Sequence, residues 1–383
     1  MIINDAGEYT LKYTATDACG NSTVVERGLT VNAPPYYGAL WDFGAILPSQ
    51  QMTRTGLSAN FADPQAAVNN GSGSSPFDNI MPWSGMQIVE DAEAGTLVSI
   101  PKFYYQWVRG DTSMEIRISN EPLDGFHVSP AHADRGDGVG ERDVVYVGRY
   151  HSALSTFKST SGVSPDYEET RATFRTRIHN VGADIWQYDF AMYWTIRILY
   201  LVEYANWSTY ATIGEGCRDS SSSRVNNGTT DAMQYHTGTT ASAKDIPGYV
   251  QYRHIEDLWA NVADWVDGIY FNNDSIYAIN NPSDFSDNSN GTLIGIRPLS
   301  SNFICGFTNP NVTGYEYALF PNNVSNNSVF DTLCSNSAGT VLFSGGNYNV
   351  TAGYYGLFYL DSTLTASSSK KYVGCRLMKL PSA

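Results

Sequence analysis

Near the start of the chain Tyr9, Leu11, Tyr13 and Ala15 alternate with polar residues. That period of two is the mark of a strand with one buried face. Asp17-Ala-Cys-Gly-Asn21 follows with turn chemistry, and Val24 to Val31 resumes a β-rich run, so residues 7–32 predict a hairpin. Ala33-Pro34-Pro35 reads as a stiff linker. Further strand patterns cover Thr96–Trp107, Arg109–Ser119 and Val144–Tyr150, with loop-like stretches at 60–79 and His127–Asp143. The period then lengthens. Pro165, with Asp166, Glu168 and Glu169 close behind, predicts a helix that runs to a stop at Gly182. Proline suits the first helical position, and acids suit the positive end of the helix dipole. Ala172, Phe174 and Ile178 would form its buried side. Asp184 reads as the N-cap of a second helix, Ile185 to Trp207, apolar on most faces and therefore central. Beyond Gly214 come short strands and loops rich in Ser, Asn and Gly. The pattern predicts an α+β chain: a hairpin unit at 1–33, a connecting region at 34–95, and a main domain at 96–383.

Composition narrows the function more than the fold. The chain is 42% hydrophobic and carries 26 tyrosines, but only 16% of its residues are charged, which excludes a disordered chain. A net charge of −15 lacks the basic patch that nucleic acid or an anionic membrane would need. The most apolar segment, Ile185–Ala205, holds Gln187, Asp189, Arg197 and Glu203, so no membrane insertion is expected. Met1 to Asp5 lacks the basic start and apolar core of a signal peptide. Five scattered cysteines form neither a disulfide framework nor a zinc pattern; mostly free thiols are expected, with one bridge such as Cys305 to Cys334 left open.

The C-terminal stretch, Gly345 to Leu377, has a different character. Small-residue turns and apolar points (Gly345, Gly346, Gly356, Leu357, Phe358, Gly374, Leu377) alternate with Tyr, Asn, Thr and Asp. Tyrosine gives large contact area at low entropic cost, and small polar residues give adaptable hydrogen bonds. Asn347, Asn349, Thr351, Tyr354, Tyr355, Tyr359, Asp361 and Thr363 are the candidate ligand contacts. No nucleophile elbow, P-loop or dinucleotide fingerprint occurs. His127, His132, Asp134, Asp137, Glu141 and Asp143 are the best metal candidates, but a solvated charged turn explains them as well and no metal or cofactor is expected.

Several segments carry a resemblance. Ile255-Glu-Asp-Leu-Trp259-Ala-Asn261-Val262-Ala-Asp264-Trp265 resembles a signature of the formylglycine-generating-enzyme, or sulfatase-modifying-factor, branch of the C-type lectin fold. Ser344-Gly345-Gly346-Asn347-Tyr348 and Gly374-Cys375-Arg376-Leu377 stand in the order of that branch's two later motifs, and Ile100-Pro101-Lys102-Phe103 resembles its opening strand. Arg149-Tyr150-His151, Thr170-Arg171-Ala172, Glu203-Tyr-Ala-Asn206-Trp207 and Tyr235-His236-Thr237 are closer still to the variable proteins of diversity-generating retroelements. Residues 7–32 resemble the last hairpin of an immunoglobulin-like repeat.

The resemblance implies a C-type lectin-like fold with two central helices, preceded by a remnant of an Ig-like domain. It implies a non-enzymatic receptor-binding protein of a phage tail or tail fibre, exposed on the virion. Its partners would be a bacterial surface receptor, protein or glycan, and other tail proteins, with a homo-oligomer, favoured as a trimer, supplying avidity. A bacterial surface adhesin of the same fold, a structural virion protein and a sulfatase-modifying-type oxidase are the alternatives. The branch's oxidase uses two neighbouring C-terminal cysteines; Cys375 stands alone here, with Cys334 well upstream.

Overall fold

The computed structural model describes residues 7–31, 35–45, 51–218, 224–288, 290–308, 312–325, 331–350 and 355–382. These form a mixed, mostly sheet architecture, 10% helical and 37% strand. Among them no helix is long and apolar enough to cross a membrane.

The N-terminal hairpin forms as the alternation predicts. Gly7–Thr16 pairs antiparallel with Ser22–Val31, and Tyr9 faces Leu29 while Tyr13 faces Val25. Asp17 closes the turn: its carboxylate accepts the N–H groups of Cys19 and Asn21, both at 2.9 Å. These bonds hold its pKa below the ordinary value, the Asn21 side chain contributing most. The two strands pair with each other and with no other described strand. Tyr13, Val24 and Val25 are each more than half exposed.

The remaining strands interlock across the chain. Tyr37–Asp42 and Met52–Gly56 share a five-stranded sheet with Tyr104–Arg109, Ser113–Ser119 and His127–Val128. Ala67–Val68 runs parallel to Gly238–Thr239. Residues 34–95 and the region beyond 96 therefore share sheets.

Both helices begin later than the sequence suggests. Helix α1 is Arg171–His179, capped by Thr170, whose hydroxyl accepts from Thr173 N–H. Pro165 is extended and bridges Ala153, and Glu168 has φ of 64°. The chain cannot wind helically through that position, so the acidic residues precede the helix instead of opening it. The helix ends at Asn180, ahead of Gly182. Phe174 and Ile178 face the core as expected.

Helix α2 is Phe190–Tyr204, with Asp189 as N-cap accepting from Met192 N–H at 2.8 Å. The apolar residues before it, Ile185–Gln187, form a strand against Leu377–Lys379 near the C-terminus. A distant partner claims them for a sheet, and Asp184 contacts Lys379 instead of capping a helix. All of α2 is buried, as its composition requires. Its two charges are met internally. Arg197 donates to Leu357 O and Tyr188 Oη, and Glu203 binds Arg253, Tyr252 and Ser75.

Two hydrophobic clusters organise the interior. One surrounds α2; the other lies under α1 and includes Phe174, Ile178, Trp265, Phe343, Tyr359 and Leu377. Between them runs a seven-stranded sheet in the order Pro321–Ser325, Asn302–Phe307, Thr332–Ser335, Gly356–Ser362, Leu342–Gly345, Ala263–Val266, Val373–Gly374. Its central strands are covered on both faces, which gives near-continuous burial instead of alternation.

Candidate functional site

The three C-terminal motif segments, far apart in sequence, meet in that sheet. Asp264 lies opposite Ser344 on one side and Gly374 on the other. Arg376 ties them to the rest of the molecule. Its fully buried guanidinium donates to the carbonyls of Gly148, Arg149, Glu256 and Asp257 at 2.6–3.2 Å, and Nε approaches Asp264 at 3.4 Å. Asp264 is pushed up to about 6 by burial, with Arg376 pulling the other way. His151 approaches Asp264 at 3.5 Å. Burial, reinforced by Arg376, holds this imidazole well below its ordinary pKa. It is neutral, so the approach is a contact and not an ion pair.

Asn261 organises the loop region beside this sheet. Its side chain accepts from Val225 N–H at 3.0 Å and donates to Asp257 at 3.0 Å. Its backbone N–H donates to Cys217 O, and its carbonyl accepts from Tyr348 N–H. It sits at φ of 49°, a conformation that asparagine tolerates better than most residues. One residue thus fixes the chain at 217, 225 and 348.

The strand Gly356–Ser362 is set by its own close contacts. Gly356 has φ of 133°, and a Cβ there would lie 2.2 Å from Asp331 Oδ2. Asp331 is buried and accepts the Phe358 N–H at 2.8 Å. Burial pushes it up to about 7, against the opposing pull of the Phe358 N–H and Arg197.

The candidate contact residues fall into two groups. Tyr359, Asp361 and Thr363 come together at the C-terminal end of the sheet's middle strand. The Tyr359 hydroxyl donates to Asp361 Oδ2 at 3.0 Å, and Thr363 donates to Oδ1 through N–H and hydroxyl at 2.9 and 2.6 Å. Burial raises both Tyr359 and Asp361. The second group lies near Asn261. Tyr355 donates to Glu215 at 3.4 Å, with the Arg218 guanidinium 5.1 Å from its ring. Asn347 turns its Oδ1 back onto the Asn349 N–H at 2.9 Å.

Burial changes the expected picture of freely projecting side chains. Asn347, Tyr355 and Tyr359 are each under 5% exposed, so they support the scaffold in this conformation. Asp361 and Thr363 are half-buried, and Asn349 is exposed. Thr351 and Tyr354 lie outside the described residues. For Tyr359 the cause is the double covering of the sheet: a strand with a core on both sides has no free face for alternate residues. Tyr355, just ahead of that strand, is instead held against Glu215. Sequence reasoning missed Glu215 and Arg218 as neighbours of Tyr355. Only the fold joins them, although Asn261 was visible in its motif.

Chemistry expected elsewhere is tied up in structure. All five cysteines are free, so Cys305 and Cys334 form no bridge. Their strands pair with Asn302 opposite Leu333, a register that carries Cys334 past Asn302 and away from Cys305. Cys375 is fully buried, its thiol donates to Arg376 O, and burial raises its pKa well above the ordinary value. In the 127–143 loop, His132 is buried between Ser129 and Ile100, Asp137 pairs with Arg142, and Asp143 pairs with Lys102. Among the described residues no group of three or more His, Cys, Asp or Glu is placed to hold a metal ion.

Compared with protein-family models the chain matches none, and no curated protein sequence matches it.

Proposed function

We propose that the chain is a ligand-display protein with a C-type lectin-like fold of the sulfatase-modifying-factor branch, of the kind that diversity-generating retroelements vary. It acts at a phage tail or tail fibre and binds a bacterial surface receptor without catalysing a reaction. One observation carries this reading. The segments at 255–265, 344–348 and 374–377, which resemble that branch, contribute adjoining strands of one sheet beside the buried Arg376. A second support comes from chemistry. The cysteine nearest the place where the branch's oxidase works is sealed and protonated, which favours display over thiol oxidation.

Burial of Asn347, Tyr355 and Tyr359 refines where contact occurs. The ligand meets the exposed loop that includes Asn349, while the buried tyrosines set the loop's stance. The test is adsorption of the purified, labelled chain to a panel of bacterial strains. Replacing residues 346–354 with a Gly-Ser segment of equal length should abolish adsorption and leave the fold intact by circular dichroism. Adsorption unchanged by the replacement, or adsorption to no strain, would contradict the reading.

A further inference from the structure

Far along the chain from the C-terminal loops, a cavity of about 420 Å³ opens beside the end of α2, within the size range of small-molecule sites. It lies between the edge strand Met52–Gly56, the helix end at Tyr204 to Asn206, and Lys244. Its charge is unusual for this chain. The net charge is −15, yet the cavity gathers Arg54 and Lys244 against the single acid Asp63.

Arg54 is the informative residue. It is only 8% exposed, and it points inward from an edge strand. Its Nη2 reaches Asp63 at 3.2 Å, but the Asp63 side chain is 85% exposed. Water screens so open a partner, which makes it a weak counter-ion. The buried carboxylate of Glu203 also attracts Arg54, but it is already paired with Arg253. The other two guanidinium nitrogens, Nε and Nη1, are buried and have no hydrogen-bond partner. Buried guanidinium donors normally find acceptors, because leaving them unmet is costly. Lys244 makes no ion pair among the described residues, and burial lowers its pKa, as it does that of Arg54. Tyr204, stacked on Tyr200, lines the same cavity, and its hydroxyl makes no hydrogen bond among the described residues. Phe61 supplies an apolar wall, and Gln65 and Asn206 supply amides.

The geometry points to a second binding site, one that takes an organic carboxylate of about monosaccharide size between Arg54 and Lys244. A carboxylate matches the planar fork of a guanidinium, and a carbon body suits Phe61 and Tyr204. One such anion would leave the cavity's lining near neutrality. The site shares no residue with the display loops, so either assignment can fail alone.

Isothermal titration calorimetry on the whole chain tests this, with D-glucuronate as a sugar acid and cyclohexanecarboxylate as a sugar-free one. Glucose and sulfate serve as controls. Saturable binding of glucuronate alone assigns a sugar acid, and binding of both acids assigns a general organic acid. Lys244→Gln, at a half-buried position, should weaken the interaction roughly tenfold or more. Arg54→Met should abolish it, yet melt no lower than the wild type without ligand, because it removes unmet donors. If Arg54 serves only to offset the C-terminal dipole of α2, Arg54→Met lowers the melting temperature and no acid binds the wild type. That result overturns the proposal. So would sulfate binding as tightly as the acids, or affinities unchanged in both variants.

Discussion

The N-terminal hairpin and the C-terminal sheet are built from similar strands and meet opposite fates. In the hairpin, Tyr13 and Val25 face each other across the ladder and remain more than half exposed. In the sheet, Leu357, Phe358, Tyr359 and Leu360 follow one another and all are buried, because α2 covers one face and α1 the other. Local pattern decides that a strand forms; what lies above and below decides what its side chains do. A two-stranded ribbon alone is marginal in water, and nothing among the described residues covers this one. The C-terminal sheet has the reverse problem: it holds so many groups inside that little is left for display except its loops.

The sharpest way to break this contrast is at Arg376. Arg376→Met removes the donors to four backbone carbonyls and leaves Asp264 buried without its cation. A cost of about 3–5 kcal/mol is expected, as for other broken buried charge pairs. Urea denaturation of the soluble fraction checks it, and a change under 1 kcal/mol would mean that the hub is dispensable. Leu357→Ala comes next. Leu357 is fully buried beside α2, and truncation there should cost about 3 kcal/mol by the same measurement.

Asp331 offers a smaller, pH-dependent probe. Its folded pKa is raised from 3.8 to about 7, so folding favours the protonated form. The unfolded chain releases this proton first as pH rises. Stability from this group is therefore full below about pH 4, falls as pH rises, and levels off above about pH 7. Asp331→Asn removes the titration and can keep the acceptor for Phe358 N–H. Its stability relative to the wild type should increase between pH 5 and pH 8, measured by denaturation at both. A constant difference would show that Asp331 does not titrate in that window.

The smallest effect belongs to the hairpin. Val25→Ser removes an apolar side chain that is 58% exposed. It should shift global stability by no more than about 0.5 kcal/mol. A loss several times larger would mean that the exposed face is covered in solution.

The hairpin was legible because both its signals, alternation at Tyr9 to Ala15 and the Asp17–Asn21 turn, are local. The buried helix was legible in its centre for the same reason. Its start was not, because Ile185–Gln187 and Phe190 onward make one apolar run, and only Leu377–Lys379, about half the chain away, divides strand from helix. The first helix was placed too early because acids after a proline look alike in an extended segment and in a helical turn. At the candidate site, composition marked the right region and not the right residues. Tyr355 and Tyr359 have the look of contact residues, but burial depends on Glu215, Cys334 and the α1 core, none of them nearby in sequence.

A saturating substitution scan of residues 345–373, read once for folded expression and once for bacterial adsorption, tests the display reading most directly. The expected result is two nearly separate sets. Changes at Gly345, Gly356, Leu357, Phe358, Tyr359 and Val373 should abolish folding. Changes at exposed positions, Asn349 first among them, should alter adsorption and leave folding intact. A scan in which no exposed position affects adsorption would contradict the account.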